Sequence, residues 1–199
     1  DTATKKKYSS YTYNTEKALP TADDVSRNGY RLDGWYKDWS YTDGPYSVVE
    51  AGTLEDVTFY AKWVTDANNA FYPISASSYD ERGTVSVSCK EAKAGSTVSF
   101  NLTPNKGYEI NTAFTPYVAY YNQSNDYVKL TPTKTAGTKN YAKYKFQMPN
   151  AYITNKGPTN VYIRAFNVSE GTDAFKVSTY NITYDTNGGE ERLDFKGLP

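Results

Sequence analysis

Adjacent acidic side chains are the first residues in this sequence whose type and spacing could do chemistry. Paired carboxylates can share general acid and general base roles in hydrolysis. All of the pairs fall in segments predicted to be turns, where acidic residues are common because their side chains bond the local backbone. We therefore expect no catalytic role for them. The pairs are Asp23-Asp24, Glu55-Asp56 and Asp80-Glu81.

Calcium is the metal ion that the other oxygen-bearing side chains would suit. Asp38 and Asp43 lie close together in the sequence, and Asp185 is followed by Asn187. Neither spacing matches a dedicated calcium-binding loop. The sequence therefore predicts no metal site and requires no other cofactor.

The residue types that the chain lacks exclude further chemistry. There is no His, and Cys89 is the only Cys among 199 residues. His-dependent nucleophiles, His-ligated zinc, internal disulfides and cysteine clusters are therefore excluded. Cys89 lies in an alternating stretch, where a lone Cys is more often a small buried hydrophobe than a reactive thiol. We predict that the protein is not an enzyme.

Charge and hydropathy argue against two classes of partner. The 22 basic and 22 acidic residues cancel, which argues against a nucleic-acid binder that depends on phosphate contacts. The longest apolar run is far below the ~20 residues of a membrane span, and no signal peptide is evident. Because the chain starts at Asp1 without Met, we expect it to be an excised piece of a longer protein.

Strands must position whatever site the chain carries. Its 21 Tyr favour strands over helices. Apolar and polar residues alternate in many stretches, with the period of a half-buried strand. Only residues 21–25 predict a short helical turn, with Thr21 as its N-cap. We expect a mainly β fold with little helix. The alternating stretches are 57–63, 84–89, 96–102, 144–148, 161–166 and 181–184.

A weak internal repeat organises these strands. Asn28-Gly29-Tyr30-Arg31-Leu32 resembles Lys106-Gly107-Tyr108-Glu109-Ile110, and residues 57–63 resemble residues 160–166. Each unit therefore has a Gly-Tyr strand followed by a final strand. The second unit carries an insertion rich in Tyr, Asn and Thr. We predict that this insertion spans about 115–140, that the units join near 65–77, and that a third unit begins at Ser178.

These landmarks resemble the Listeria–Bacteroides repeat, the internalin B-repeat type of module in bacterial surface proteins. Residues 28–36 are similar to its Gly-Tyr-x-Phe-x-Gly-Trp-Tyr motif, and residues 57–63 to its final Leu-Tyr-Ala-Lys-Trp strand. Leu19-Pro20-Thr21 fits its Pro-containing stretch. Residues 77–168 resemble the divergent version of the repeat, although Asn111-Thr112-Ala113-Phe114 stands where the family has Gly-Trp.

The resemblance implies tandem β-grasp-like modules. They would be a module at 1–66 that lacks its first strand, a divergent module at 77–168, and the first strand of a further repeat at 178–199. It also implies an extracellular protein, secreted or on the bacterial cell surface. Its role would be that of a stalk, spacer or adhesin segment without catalysis.

The order of the motifs suggests a partner. In the family, a strand reading Thr-Tyr-Asp-Thr-Asn-Gly-Gly comes first, whereas here it comes last, at 183–189. A sheet that lacks a strand exposes unpaired backbone groups and an apolar slot. We hypothesise that the C-terminal strand of one copy, through Tyr180, Ile182 and Tyr184, completes the first module of another. The alternative is an unpaired tail.

Aromatic side chains support a different hypothesis, a binding module for a glycan or a host protein. Trp35 belongs to the family motif and is expected to pack in the core, whereas Trp39 lies in a predicted loop and is the better candidate for a ligand contact. The insertion tyrosines are a second candidate, unless they cover one face of a hairpin. The candidate contacts are Trp39, Tyr41, Tyr46, Tyr117, Tyr120 and Tyr121.

Overall fold

The computed structural model describes residues 9–78 and 80–182 of the chain. Within these residues the protein is mainly β, and its helical segments are two 3-10 turns, Ala67–Asn69 and Asp80–Arg82. The predicted fold class is therefore confirmed, whereas the β-grasp-like detail stays a prediction. The expected helical turn at Thr21 is a single turn, in which Val25 N–H donates to the Thr21 carbonyl at 3.2 Å.

The first unit contains two antiparallel strand pairs. Strand β2 pairs with β4 along its length, and β1 pairs with β3. A bridge between Trp35 and Tyr46 connects the two pairs, because Tyr46 lies just before β3. The strands are β1 (Lys17–Ala18), β2 (Tyr30–Tyr36), β3 (Val48–Val49) and β4 (Tyr60–Thr65).

The second unit contains two larger sheets. A five-stranded sheet has the order β11-β10-β16-β5-β7, and a four-stranded sheet has the order β12-β13-β8-β6. All pairs are antiparallel except β16 with β5, which is parallel. The strands that build these sheets are β5 (Phe71–Ser77), β6 (Gly83–Val87), β7 (Glu91–Lys93), β8 (Thr97–Pro104), β10 (Tyr117–Tyr121), β11 (Tyr127–Leu130), β12 (Thr133–Thr138), β13 (Tyr141–Gln147) and β16 (Val161–Arg164).

Short strand pairs complete the unit. The Gly-Tyr strand β9 pairs with the last strand β19, β14 with β15, and β17 with β18. These strands are β9 (Tyr108–Ile110), β14 (Ile153–Thr154), β15 (Gly157–Pro158), β17 (Phe166–Asn167), β18 (Thr172–Asp173) and β19 (Phe175–Val177).

One apolar core lies between the two larger sheets. Tyr72 and Ile163 enter it from the five-stranded sheet, and Phe100 and Phe146 from the four-stranded sheet. Buried and exposed residues alternate strictly along β13 and along nearly all of β8, which confirms the alternation predicted there. Each buried aromatic ring removes about 150–250 Å² from water, so this core is the main source of the unit's stability.

The insertion is an integral part of both sheets. Its first strand, β10, pairs with β16 in the five-stranded sheet and forms a hairpin with β11. Its last strand, β12, pairs with β13 in the four-stranded sheet. The residues at about 115–140 therefore supply edges to the core rather than a separate arm.

The join between the units is shorter than predicted. Residues 71–77 were expected within the join near 65–77, but they form β5 inside the five-stranded sheet. The chain therefore passes from β4 to β5 through residues 66–70 only.

The final strand of the second unit is divided in two. Residues 160–166 were expected to match residues 57–63 as one continuous strand. Instead β16 ends at Arg164, and the chain makes an excursion through β17 and β18. It returns at Ala174, whose N–H donates to the Ala165 carbonyl at 2.8 Å, and continues as β19. Strands β16 and β19 together thus correspond to β4.

Candidate functional site

Asn28 joins the two units. Its carboxamide Nδ2 donates to the Phe71 carbonyl at 2.9 Å, and its Oδ1 accepts from the Phe71 N–H at 2.7 Å. Phe71 opens β5, the strand with which the second unit begins. The side chain of Asn28 therefore pairs with the backbone as a neighbouring strand residue would.

Gly29 brings the two backbones together at the same place. Its N–H donates to the Asn69 carbonyl at 2.9 Å, and its carbonyl accepts from Asp66 N–H at 2.8 Å. Its φ of +80° is one that residues with a Cβ rarely adopt, and an added Cβ would lie 2.9 Å from Cγ of Pro158 in the second unit. A glycine is thus required here both by conformation and by contact.

Tyr30 connects the contact between the units with the apolar core of the second unit. It is buried, and it belongs to the same apolar cluster as the core of the second unit. Its hydroxyl donates to the Thr154 carbonyl, its own carbonyl accepts from Asn69 Nδ2 at 2.7 Å, and the Arg27 guanidinium lies 3.9 Å from its ring centroid. The motif Asn28-Gly29-Tyr30 therefore forms a polar and apolar joint between the units.

Part of this joint recurs at the end of the second unit. Tyr30 pairs with Thr65, after which Asp66 N–H bonds the Gly29 carbonyl. In the same register Tyr108 pairs with Val177, after which Ser178 N–H bonds the Gly107 carbonyl at 2.9 Å. The chain therefore leaves each unit beside its Gly-Tyr motif in the same way.

The first unit contains a groove of about 780 Å³. Its lining comes mainly from two stretches of the chain, residues 9–20, which include β1, and residues 53–59, which lead into β4. The Tyr11 hydroxyl donates to the Glu55 carbonyl and connects the two stretches. The indole N–H of Trp35 donates to the Pro20 carbonyl at 2.6 Å. Trp35, expected in the core, is half-buried and forms part of the lining, together with Leu19, Val49, Leu54, Val57 and Phe59.

The predicted loop aromatics differ in their exposure. Trp39 is 77% exposed, in accordance with the expectation of a loop position. Tyr41 adopts a φ of 60° and places its ring edge-on to Tyr36, with 5.4 Å between centroids. Tyr46 is half-buried, and its hydroxyl bonds Asp43 at 2.6 Å, which raises the pKa of the phenol. Trp39 is therefore the most accessible ring of this group.

The carboxylate of Asp38 shapes the same loop. It accepts from the Thr42 hydroxyl and from the N–H groups of Thr42 and Asp43. The bond from the Thr42 hydroxyl is the main cause of a pKa below the ordinary value. No group of three or more His, Cys, Asp or Glu side chains in the described residues could hold a metal ion, while Asp185 and Asn187 lie outside those residues.

The insertion tyrosines lie on two faces of β10. Tyr120 packs against the core, whereas Tyr121 is exposed and meets Tyr127 edge-on at 5.6 Å. Tyr117 lies under the Lys129 ammonium, which is 4.7 Å from its ring centroid. Within the described residues no hydrogen bond or ring contact brings these tyrosines to Trp39, so the two candidate patches are separate.

The predicted exchange strand lies partly within the described residues. Tyr180 and Ile182 are 77% and 76% exposed and belong to no strand, while Tyr184 lies outside those residues. The exposure of these two apolar side chains leaves them available to a partner.

The sequence pattern does not predict the joint or most of the groove lining. In the sequence Asn28 is only part of a repeat motif, and its partner Phe71 falls in the predicted join between the units. The signal that could have found the joint is the Asn-Gly pair before a strand, since this pair favours a turn with a positive φ.

None of the helical segments in residues 9–78 and 80–182 is long and apolar enough to cross a membrane. Comparison with protein-family models, with curated proteins and with solved structures finds no match to this chain.

Proposed function

We propose that the protein is a non-catalytic repeat segment of a bacterial cell-surface protein that acts as a stalk, spacer or adhesin segment. The observation that carries this proposal is the reciprocal bond between Asn28 and Phe71, because it fixes one unit on the next. A spacer that transmits position or force needs such fixed joints.

The joint has the character of a repeat contact. Its hydrogen bonds lie close to residues 66–70, where the chain passes from the first unit to the second. The same strand register recurs where the chain leaves the second unit. In repeat proteins each unit contacts only its neighbours, so one joint geometry builds a long array. Because the chain has a single Cys, it has no internal disulfide, and its packed sheets supply the stability that a spacer needs.

The experiment measures whether the two units tumble together. Nitrogen-15 relaxation of the full chain should give one rotational correlation time for residues of both units. Asn28→Ala combined with Gly29→Ala should give two shorter times, because the units then reorient separately. Independent tumbling in the wild type would overturn the proposal of a rigid spacer.

A second candidate function is binding of a glycan or a host protein. The observation that favours it is the exposure of Trp39, a large ring on a loop whose backbone is tied together by Asp38. Exposed aromatic rings of this kind supply contact energy at interfaces.

A further inference from the structure

The outer edge of β4 lacks the neighbour that its counterpart has. In the second unit, β16 lies between the antiparallel strand β10 and the parallel strand β5. In the first unit, β4 has the antiparallel strand β2 on one side. On the other side, β4 pairs with no strand among the described residues. An unpaired edge of this kind is a template for strand addition.

The groove of the first unit is next to the start of β4 in the sequence. Val57 and Phe59 line it, and they belong to the segment that runs directly into β4. Leu19, which follows β1, and Trp35 also line it, together with polar side chains such as Glu55. A strand that pairs with the beginning of β4 would therefore meet apolar side chains of this groove.

The segment after β19 has the sequence positions of a strand that opens a unit. After Thr65, the residue paired with Tyr30, the chain reaches Asn69 and then Tyr72 of β5. After Val177, the residue paired with Tyr108, it reaches Asn181 and Tyr184 at the same spacing. Tyr72 is fully buried in the second unit, so Tyr184 holds the sequence position of a core residue.

The strand that follows each joint belongs to the next unit, and this order indicates which first unit the C-terminal segment would join. The strand that follows the first joint, β5, enters the next unit rather than the unit it has left. Because the register after Val177 repeats the register after Thr65, the segment after Ser178 corresponds to the chain that leads into β5 and so into a following unit. The exposed side chains of Tyr180 and Ile182, which alternate along the chain, mark this segment as one without a partner among the described residues.

We infer that the segment beginning at Tyr180 of one copy adds to the first unit of a second copy, parallel to β4, and fills the groove. This inference rests on the proposed function, because both treat the chain as tandem units in one register. Backbone bonds to β4 supply affinity, and Ile182 and Tyr184 supply the apolar contacts. The contact is head-to-tail, so it closes into a ring or continues as a filament.

The experiment compares the full chain with a chain truncated after Ser178 by sedimentation equilibrium, from low micromolar to near-millimolar concentration. The full chain should self-associate and the truncated chain should be monomeric. A peptide of residues 178–192 should bind the truncated chain and slow amide exchange at Val57, Phe59 and β4. The same peptide with Ile182→Asp and Tyr184→Asp should bind at least about tenfold more weakly.

Groove and control variants locate the contact. Phe59→Ala should weaken self-association. Thr58→Pro should do so without removing an apolar side chain, because proline removes a backbone N–H from the segment that leads into β4. Val168→Ala, which truncates an exposed apolar side chain outside the groove lining, should self-associate like the wild type.

Three results would overturn the inference. They are a full chain that is monomeric at every concentration, self-association that survives the truncation, and peptide binding to the truncated chain without self-association of the full chain. The last result would mean that the tail fills its own groove. None of them bears on whether the two units tumble together, so the spacer proposal fails or stands separately.

Discussion

Asn28 and Phe71, 43 residues apart, form two hydrogen bonds of 2.9 and 2.7 Å, in which the side-chain amide of Asn28 pairs with the backbone C=O and N–H of Phe71. Because both backbone groups of Phe71 are involved, the first residue of β5 is held by the first unit at the point where the strand begins to pair with β7. The pair thus links the fold of the second unit to the position of the first.

Asn28→Ala removes both bonds at once. Net contributions of about 0.5–1.5 kcal/mol per bond predict a loss of about 1–2 kcal/mol in the free energy of unfolding, since the site is partly solvated. Asn68→Ala, at an exposed neighbouring amide, serves as the control and should cost less than about 0.5 kcal/mol. Urea denaturation of the two variants measures the difference, and equal losses would contradict a role for the pair.

Gly29 and Gly107 provide a matched test of contact against conformation. Both have positive φ, +80° and +88°, but only Gly29 faces a neighbour, Cγ of Pro158 at 2.9 Å from an added Cβ. Gly107→Ala should therefore cost only the backbone strain, about 1–2 kcal/mol. Gly29→Ala should cost that strain plus about 1–3 kcal/mol of steric repulsion.

Pro158→Ala provides the control for this pair. If repulsion causes the extra loss, Pro158→Ala should recover most of it in the Gly29→Ala background and none in the Gly107→Ala background. Thermal unfolding of the four variants measures both effects. Equal losses of stability for the two glycine substitutions would show that repulsion from Pro158 does not contribute.

The alternation of apolar and polar residues in the sequence was sufficient to predict the strands that have one buried face. Strands β8 and β13 follow this rule, because the core lies on one side of the four-stranded sheet. Strand β5 could not be predicted in this way, since Pro73 argues against a central strand. The structure shows why it is tolerated: β5 pairs with β7 up to Pro73 and with β16 from Ile74 onward.

The joint could not be predicted for a related reason. Its main bond joins a side chain to the backbone of Phe71, and alternation of apolar residues carries no information about such bonds. The division of the second unit's final strand into β16 and β19 could not be predicted either. In the sequence, the segment between Arg164 and Ala174 looks like an ordinary turn-rich segment. The loop position of Trp39, by contrast, followed from its place outside the repeat motif.

Trp39→Ala tests the ligand hypothesis without disturbing the fold. Because the ring is 77% exposed, the free energy of unfolding should change by less than about 0.5 kcal/mol. If the loop binds a glycan or a host protein, binding on a glycan array or to host cells should fall by at least about tenfold. Tyr141→Ala, at another exposed ring outside this loop and outside the groove, is the control. Unchanged binding by Trp39→Ala would remove this ring as the site.

Tyr72 and Tyr144 predict how stability depends on pH. Both side chains are nearly fully buried in the core, and burial raises the pKa of each phenol because it disfavours the charged form. The unfolded chain releases these protons near pH 10, whereas the folded chain retains them to higher pH. Their contribution to the free energy of unfolding is therefore complete below pH 10, and it is lost as the pH rises through the pKa that the phenols have in the folded chain.

Tyr144→Phe isolates this effect, because no hydrogen bond of its hydroxyl is found among the described residues, and its ring stacks on Phe100 in either form. Stability at neutral pH should change little. Above pH 10 the variant should lose stability less steeply than the wild type, by up to about 1.4 kcal/mol per pH unit. Tyr72→Phe should also lose stability less steeply above pH 10 than the wild type. At neutral pH its free energy of unfolding should fall by about 1 kcal/mol, because the substitution removes the 2.6 Å hydrogen bond to Asn150. Lysine deprotonation affects all variants alike, so the difference between urea denaturation curves at matched pH isolates the tyrosines. Identical slopes for wild type and Tyr144→Phe would mean that the phenol reaches water before the core unfolds.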